Sequence, residues 1–423
     1  MVSMTSEFEK NLQKYAEVIV KVGLNLQPDQ RLLIGSPTPS LNGVAVELAP
    51  LIRLIVKNAY QAGAKLVEVM WDDDYIRYLR YKYAPKDSFE EYPTWRAHGA
   101  LSIAKESDAM LLFGAQNPDL YSEIDPDLIL LTRQTALKQM KPANDIRRKG
   151  LVNWSAITAP IDGWVDKVLP EVPQNERKAR FWDILFDICR VNQKDPVAAW
   201  KEHINKLVSR ASYLNKKNYS TLHFKAPGTD LTVGLASKHI WKSAYFATQS
   251  GISNVVNIPT EEIFTTPHKD KTEGIVSATK PFFINTMIED LRVTFSEGRV
   301  VKVTATKGQK FMQKLLEADE GASKLGEVSL VPHSSPISQS GLLFYNILID
   351  ENASCHIALG SGIRTCIDNG NQMSDEGFSD AGGNISIHHL DFMIGSEKMD
   401  IDGIKEDGTR EPIFRKGEWA IEE

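Results

Sequence analysis

The sequence predicts two domains of different texture, an α/β domain over residues 1–212 and an α+β domain over residues 213–423. Three observations predict this. At 423 residues the chain exceeds one ordinary domain of roughly 150 residues. Strand-like and helix-like stretches alternate through the first half, the pattern of a largely parallel sheet covered by helices. Beyond about residue 214 short strands flank tight turns instead, and His223, His239, His268, His333, His356, His388 and His389 all lie there, against only His98 and His203 before it.

Composition supports a folded chain and removes several classes of function. Hydrophobic residues at 42% and charged residues at 25% are ordinary for a globular protein. The formal net charge of −6 lacks the basic excess that holds a phosphate backbone, so no nucleic-acid partner is expected. No apolar run approaches the ~18 residues needed to cross a bilayer, so no membrane partner is expected. Cys189, Cys355 and Cys366 form an odd trio without CxxC spacing, which argues against a disulfide framework and for a reducing cytoplasm.

Each element follows from local pattern. Within residues 1–28, Phe8, Leu12, Tyr15, Ile19 and Val22 recur at helical spacing, and Ser6 with Glu9 forms a capping box, so a folded helix is expected there. A short strand at 32–34 ends at Gly35. A helix at 44–62 stops at Gly63. Strands follow at 66–71 and 109–113, and a helix at 127–139. A helix at 176–191 precedes the polar connector 192–196, and another at 198–214 leads into the second half. Residues 221–224 and 231–235 flank the Pro227–Gly228 turn, and 291–295 with 300–304 flank Glu297–Gly298, two predicted hairpins.

Four segments of the second half carry residues able to do chemistry. In the strand-like run 385–394, period two puts His389 and Asp391 on one face and His388 on the other. Such a pair can hold a cation through N and O, or simply hydrogen-bond at a sheet edge. His356 enters the apolar run 357–359 from an acidic turn containing Asp350 and Glu351. It is either a ligand or part of a capped turn. Glu261 and Glu262 are adjacent carboxylates between apolar residues; in an extended chain one could bind metal while the other handles a proton, and a solvated loop is the other reading. Glu327 opens the strand-like run 328–331.

Taken together, these segments resemble a metallo-aminopeptidase family typified by aminopeptidases T and S. The resemblance rests on NIPTEEIFTTPH at 257–268, GTDLTVGL at 228–235, GEVSLVP at 326–332, FYNILIDENASCHIALG at 344–360 and HLDFMIGS at 389–396. It covers nearly the whole chain, more loosely in the first half. It implies a dinuclear metal site in the second domain, a homodimer, and peptide substrates with a free N-terminus. Carried over by position, the ligands fall on Glu261, Glu327, His356, His389 and Asp391, with Glu351 a further acidic position close to the metals.

Charge arithmetic agrees with two divalent ions. Glu261, Glu327 and Asp391 would repel one another in one empty cavity, and two divalent cations with a bridging hydroxide bring them to neutrality. Ions about 3.5 to 4 Å apart need a shared ligand, for which Glu327 is the candidate. Cobalt and zinc both suit such N/O donors. The implied reaction is attack of a two-metal-activated water on the first peptide bond, with Glu262 as the proton shuttle and Glu327 bridging the catalytic ions.

One position departs from the family pattern. Seven residues after His356 the family commonly places a tyrosine thought to assist catalysis, and here that residue is Ile363. A phenolic donor at a developing oxyanion is worth about 10² to 10³ in rate, and isoleucine can donate nothing. Arg364 could supply a cationic donor instead. The alternative function is therefore a catalytically impaired metal-binding paralogue acting as a binding or interaction protein.

Overall fold

The computed structural model describes residues 6–35, 43–106, 108–284 and 286–421. Residues 1–5 of the expected N-terminal stretch and the last two residues of the expected second domain lie outside them. The chain forms two compact units, one of residues 1–203 with 244–259 and one of residues 204–243 with 260–423. The expectation from sequence was a single break at 212; here the second unit's segment 204–243 is followed by sixteen residues that return to the first unit. The return has a local cause. Asn257–Ile258 pairs in parallel with Ala156–Ile157, and the Asn254 side chain donates to the Gly23 and Trp154 carbonyls at 3.0 and 2.5 Å.

The first unit is built on a five-stranded sheet in the order Asn257–Ile258, Trp154–Ile157, Ala109–Phe113, Arg31–Ile34, Leu66–Val69, every pairing parallel. Ala109–Phe113 is buried along its whole length, as a strand covered on both faces must be. The N-terminal helix Glu7–Val18 carries the expected capping box: Glu9 N–H donates to Ser6 Oγ at 3.2 Å and Ser6 N–H to Glu9 Oε2 at 2.8 Å. Its Tyr15 packs edge-on against Trp182 and Phe186. The helix expected at 44–62 is Ala49–Gln61, because Pro50 suits the first helical turn and sets the start there. The helix expected at 127–139 is the longer Pro126–Arg148, which continues through Pro142.

The second unit contains two large antiparallel sheets beside a two-stranded one, Phe282–Ile284 with Thr286–Ile288. The eight-stranded one runs Arg299–Thr304, Arg292–Ser296, Pro267–Ser277, Thr229–Leu235, Thr221–Ala226, Asp400–Ile404, Arg410–Arg415, Glu418–Trp419, and both predicted hairpins are in it. The five-stranded one runs His389–Met393, His356–Gly360, Leu325–Leu330, Ile263–Thr265, Lys242–Ser243. Alternation gives this smaller sheet two unlike faces. Val328, Leu330, Ile357, Leu359, Leu390 and Phe392 enter the unit's hydrophobic core, leaving the residues between them to the other face.

A charged hub on the larger sheet gives a pH prediction. Glu411 accepts from Lys217 Nζ at 2.6 Å, Lys405 Nζ at 2.7 Å and Tyr219 Oη at 2.7 Å, and these bonds hold its carboxyl down to about 2. An unfolded glutamate titrates near ~4.3. The folded value is the lower one, so the hub's contribution is fully present above about pH 5 and is lost as pH falls towards 2. E411Q is expected to be slightly less stable at neutral pH and to lose less stability between pH 5 and 3. Urea midpoints across that range test it, and parallel acid-side slopes would contradict it.

Candidate metal centre

The free face of the five-stranded sheet gathers the reactive side chains by register. Asp391 is opposite Ala358, which is opposite Glu327; His389 is opposite Gly360; His356 is opposite Ser329. Strands two apart in a sheet are separated by about 9.6 Å, so Glu327 and Asp391 approach each other only by leaning over the Ala358 methyl. Gly360 keeps the end of this row open. Its φ of +105° is the left-handed region, and a Cβ there would lie 2.3 Å from the His388 carbonyl oxygen.

Distances show how tight the cluster is. His389 Nε2 lies 3.0 Å from Glu327 Oε2 and 3.4 Å from Asp391 Oδ1. His356 Nε2 lies 3.2 Å from Glu262 Oε2 and 3.9 Å from Glu327 Oε1. Glu327 thus turns one oxygen to each imidazole. Glu262, Glu327 and His356 form one set of donor atoms within 4.8 Å of one another, and Glu327, His389 and Asp391 form a second. His356, Glu261, Glu262, Glu327 and Asp391 are buried, whereas the His389 side chain keeps 35% of its surface exposed.

Both imidazoles are oriented for the same purpose. A carbonyl can only accept, so His389 Nδ1 donates to Ser361 O at 2.8 Å and His356 Nδ1 donates to Ser354 O at 3.2 Å. Each ring is thereby fixed with Nε2 facing carboxylate oxygens, which only a proton or a cation at Nε2 can satisfy. This is the outer-shell support that metal-binding histidines have. Among the described residues no donor makes a hydrogen bond to the buried Asp391 Oδ1, an acceptor suited to a cation.

The surrounding carboxylates favour protons on both imidazoles. Burial would lower His356, but the Glu262, Asp391 and Glu327 carboxylates outweigh it and push the ring up to about 10. His389 is likewise raised well above its usual value, against burial, by Asp391 and Glu327. Asp391, which burial would raise, is held below the usual carboxylate range by His389 and His356. Glu327 is raised by burial and by the Asp391 and Glu262 charges. Glu351 is raised well above its ordinary value by desolvation and by the charges of Glu262 and Asp391, which puts it in the field of the same cluster.

The remaining sequence candidates separate clearly. Glu262, expected to point away from its neighbour's metal, contacts His356 and accepts from Ser329 Oγ at 3.0 Å. Residues 260–262 precede the strand Ile263–Thr265 rather than belonging to it, so the alternation assumed for Glu261 and Glu262 does not apply. The Glu261 main-chain N–H donates to Asn352 Oδ1 at 2.8 Å. Arg364 is occupied: its guanidinium donates to the Gly370 and Met373 carbonyls, pairs with Asp375 and lies 4.6 Å from the Phe378 ring centroid. Cys355 is buried with its thiol pushed up to about 12, and burial raises Cys366 as well, so both are inert packing groups. Ser329, Ala358 and Asn352 are additions to the sequence candidates. Period two from Glu327 points to Ser329; nothing in the sequence marks Ala358.

The profile of the thermophilic metalloprotease (M29) family matches residues 8–419. The chain belongs to this family. Among similar M29 relatives, Aminopeptidase 2 of Geobacillus stearothermophilus is 43% identical over 418 residues, 99% of each chain. Aminopeptidase AmpS of Bacillus subtilis (strain 168) is 43% identical over 415 residues, 98% of this chain and 99% of its own. The solved structure of wild-type AmpT from Thermus thermophilus superposes with a TM-score of 0.91 at 36% identity, covering 98% of this chain and 100% of that one. As an M29 metalloprotease the chain works with a divalent metal, and the donor set on the five-stranded sheet fits one in residue type, ring orientation and charge.

The row through Ala358 makes this testable. Ala358→Leu places three further carbons between Glu327 and Asp391. It is expected to cost about 1–3 kcal/mol from overpacking and to abolish ion binding at the His389 end. Metal titration of the folded variant checks it, and wild-type metal content would contradict the arrangement.

Proposed function

We propose that this chain is a metal-dependent aminopeptidase that releases the N-terminal residue of peptides, and that its centre would hold two divalent ions, cobalt or zinc, with Glu327 contributing to both. Glu261, Glu327 and His356 would hold one ion, and Glu327, His389 and Asp391 the other, with Glu351 beside them. The observation that carries the proposal is Glu327 itself, with Oε2 at 3.0 Å from one metal-oriented imidazole and Oε1 at 3.9 Å from the other. Ions so placed would supply Lewis acidity, acidifying water, polarising a peptide carbonyl and anchoring a free α-amine.

The chain's own groups supply positioning and proton handling. Glu262 Oε2, held by Ser329 and facing His356, would take a proton from water and return it to the leaving amine; these two contacts support the role. The grouping of Glu262 with Glu327 and His356 also favours a second reading, in which Glu262 is itself a ligand at that end. The main chain of Ile363 bonds Thr266, its N–H donating to Thr266 Oγ1 at 3.0 Å and its carbonyl accepting from the same hydroxyl at 2.9 Å. With Ile363 apolar and Arg364 occupied, neither supplies an oxyanion donor.

Further features support the setting. Helix Asp74–Tyr83 has no buried residue and exposes Tyr75, Ile76, Leu79 and Tyr83, which supports a homodimer. Cys189, Cys355 and Cys366 are buried free thiols, which supports the cytoplasm. Among the described residues no helix is long and apolar enough to cross a membrane.

The deciding experiment is hydrolysis of a panel of aminoacyl-4-nitroanilides by metal-stripped protein before and after adding cobalt or zinc. Metal content and sedimentation velocity would be measured on the same samples. The expected result is metal-dependent release with about two ions per chain. Two bound ions without turnover would favour the silent binding paralogue.

A further inference from the structure

We propose that Asn352 is a positioning residue that ties the two acidic segments of the centre into one geometry able to receive metal. This rests on the metal centre proposed above and concerns a side chain outside its ligand set. Asn352 is fully buried in the short turn Glu351–Ala353. Its Oδ1 accepts the Glu261 N–H at 2.8 Å, and its Nδ2 donates to Leu348 O at 3.3 Å and to Glu351 Oε1 at 3.4 Å. One amide therefore touches the main chain of the Glu261–Glu262 segment and the carboxylate of Glu351.

The chemistry of the partners fixes which way the amide faces. A main-chain N–H can only donate, so the oxygen must face Glu261; a carbonyl and a carboxylate can only accept, so the nitrogen must face Leu348 and Glu351. Residues 260–262 lie outside any strand, so no ladder sets their course at this point. The bond to Asn352 takes that part. Asn352 is itself anchored, since its carbonyl accepts from Ser335 Oγ at 3.2 Å and Ser335 caps the helix Pro336–Gln339. The result is a rigid link between two stretches 91 residues apart, each of which brings carboxylates to the same ions.

Full-length protein with cobalt or zinc as the probe tests this, using competition against a chromogenic chelator. N352A is expected to keep the wild-type far-ultraviolet spectrum and to bind metal about 10- to 100-fold more weakly. N352D keeps the oxygen facing Glu261 but turns a second, anionic oxygen onto the Leu348 carbonyl and the Glu351 carboxylate, which can only accept, and is expected to recover none of that loss. In metal-free wild-type protein the Glu261 amide hydrogen is expected to exchange slowly, because its bond to Asn352 exists before metal arrives; this measurement needs no variant to fold. Wild-type affinity in folded N352A, wild-type affinity in folded N352D, or fast exchange at Glu261 would each overturn the assignment. Wild-type protein that binds neither ion would instead overturn the metal centre, and this role with it.

Discussion

Glu327→Gln is expected to weaken metal binding at the proposed centre and to lower turnover by about a thousandfold or more. Glu327 is the member common to both donor sets, with one oxygen towards each imidazole. Glutamine keeps the volume but replaces one anionic oxygen by an NH₂ that repels a cation. Lewis-acid stabilisation is worth several kcal/mol, and each 1.36 kcal/mol is a factor of ten in rate, so a loss near 10³ follows. Metal analysis and single-turnover hydrolysis measured together check it. Full metal content with normal turnover would remove Glu327 from the centre, and stripping wild-type protein of metal should reproduce the loss reversibly.

The second large effect is expected at Glu262. If this carboxylate moves the proton, Glu262→Gln retains wild-type metal content and lowers kcat by about 10² to 10⁴, with little change in KM. Its bond from Ser329 at 3.0 Å survives, because the glutamine amide oxygen can accept from the same hydroxyl. Should an ion be lost as well, the contact with His356 marks Glu262 as a ligand and the proton role passes to its neighbour. Glu261→Gln, measured beside it, completes the comparison: the variant that loses metal names the ligand, and the one that keeps metal without turnover names the proton carrier.

Much of the architecture was legible because it is locally encoded. Ser6 and Glu9 announce a helix start within four residues, and Ala109–Phe113 is a continuous apolar run that only a doubly covered strand can bury. The pairing of His389 with Asp391 follows from the period of a strand. Boundaries were less legible. Pro50 and Pro142 have opposite outcomes, one setting a helix start and the other lying inside a helix, because the cost of a helical proline is balanced by packing that the local sequence does not reveal.

The residue types proposed for the centre, their place in the second half and the family to which the chain belongs can all be read from local sequence. How those residues meet cannot, because it depends on packing between distant strands. Register places Ala358 between Glu327 and Asp391, a pairing of strands more than thirty residues apart that no periodicity reports. The same holds for Asn352 beneath Glu261, for Glu262 against His356, and for residues 244–259 returning to the first unit. The physical reason is common to all of them. Periodicity and capping are interactions within a few residues, whereas register and side-chain contact across strands are fixed only when the whole core is buried at once.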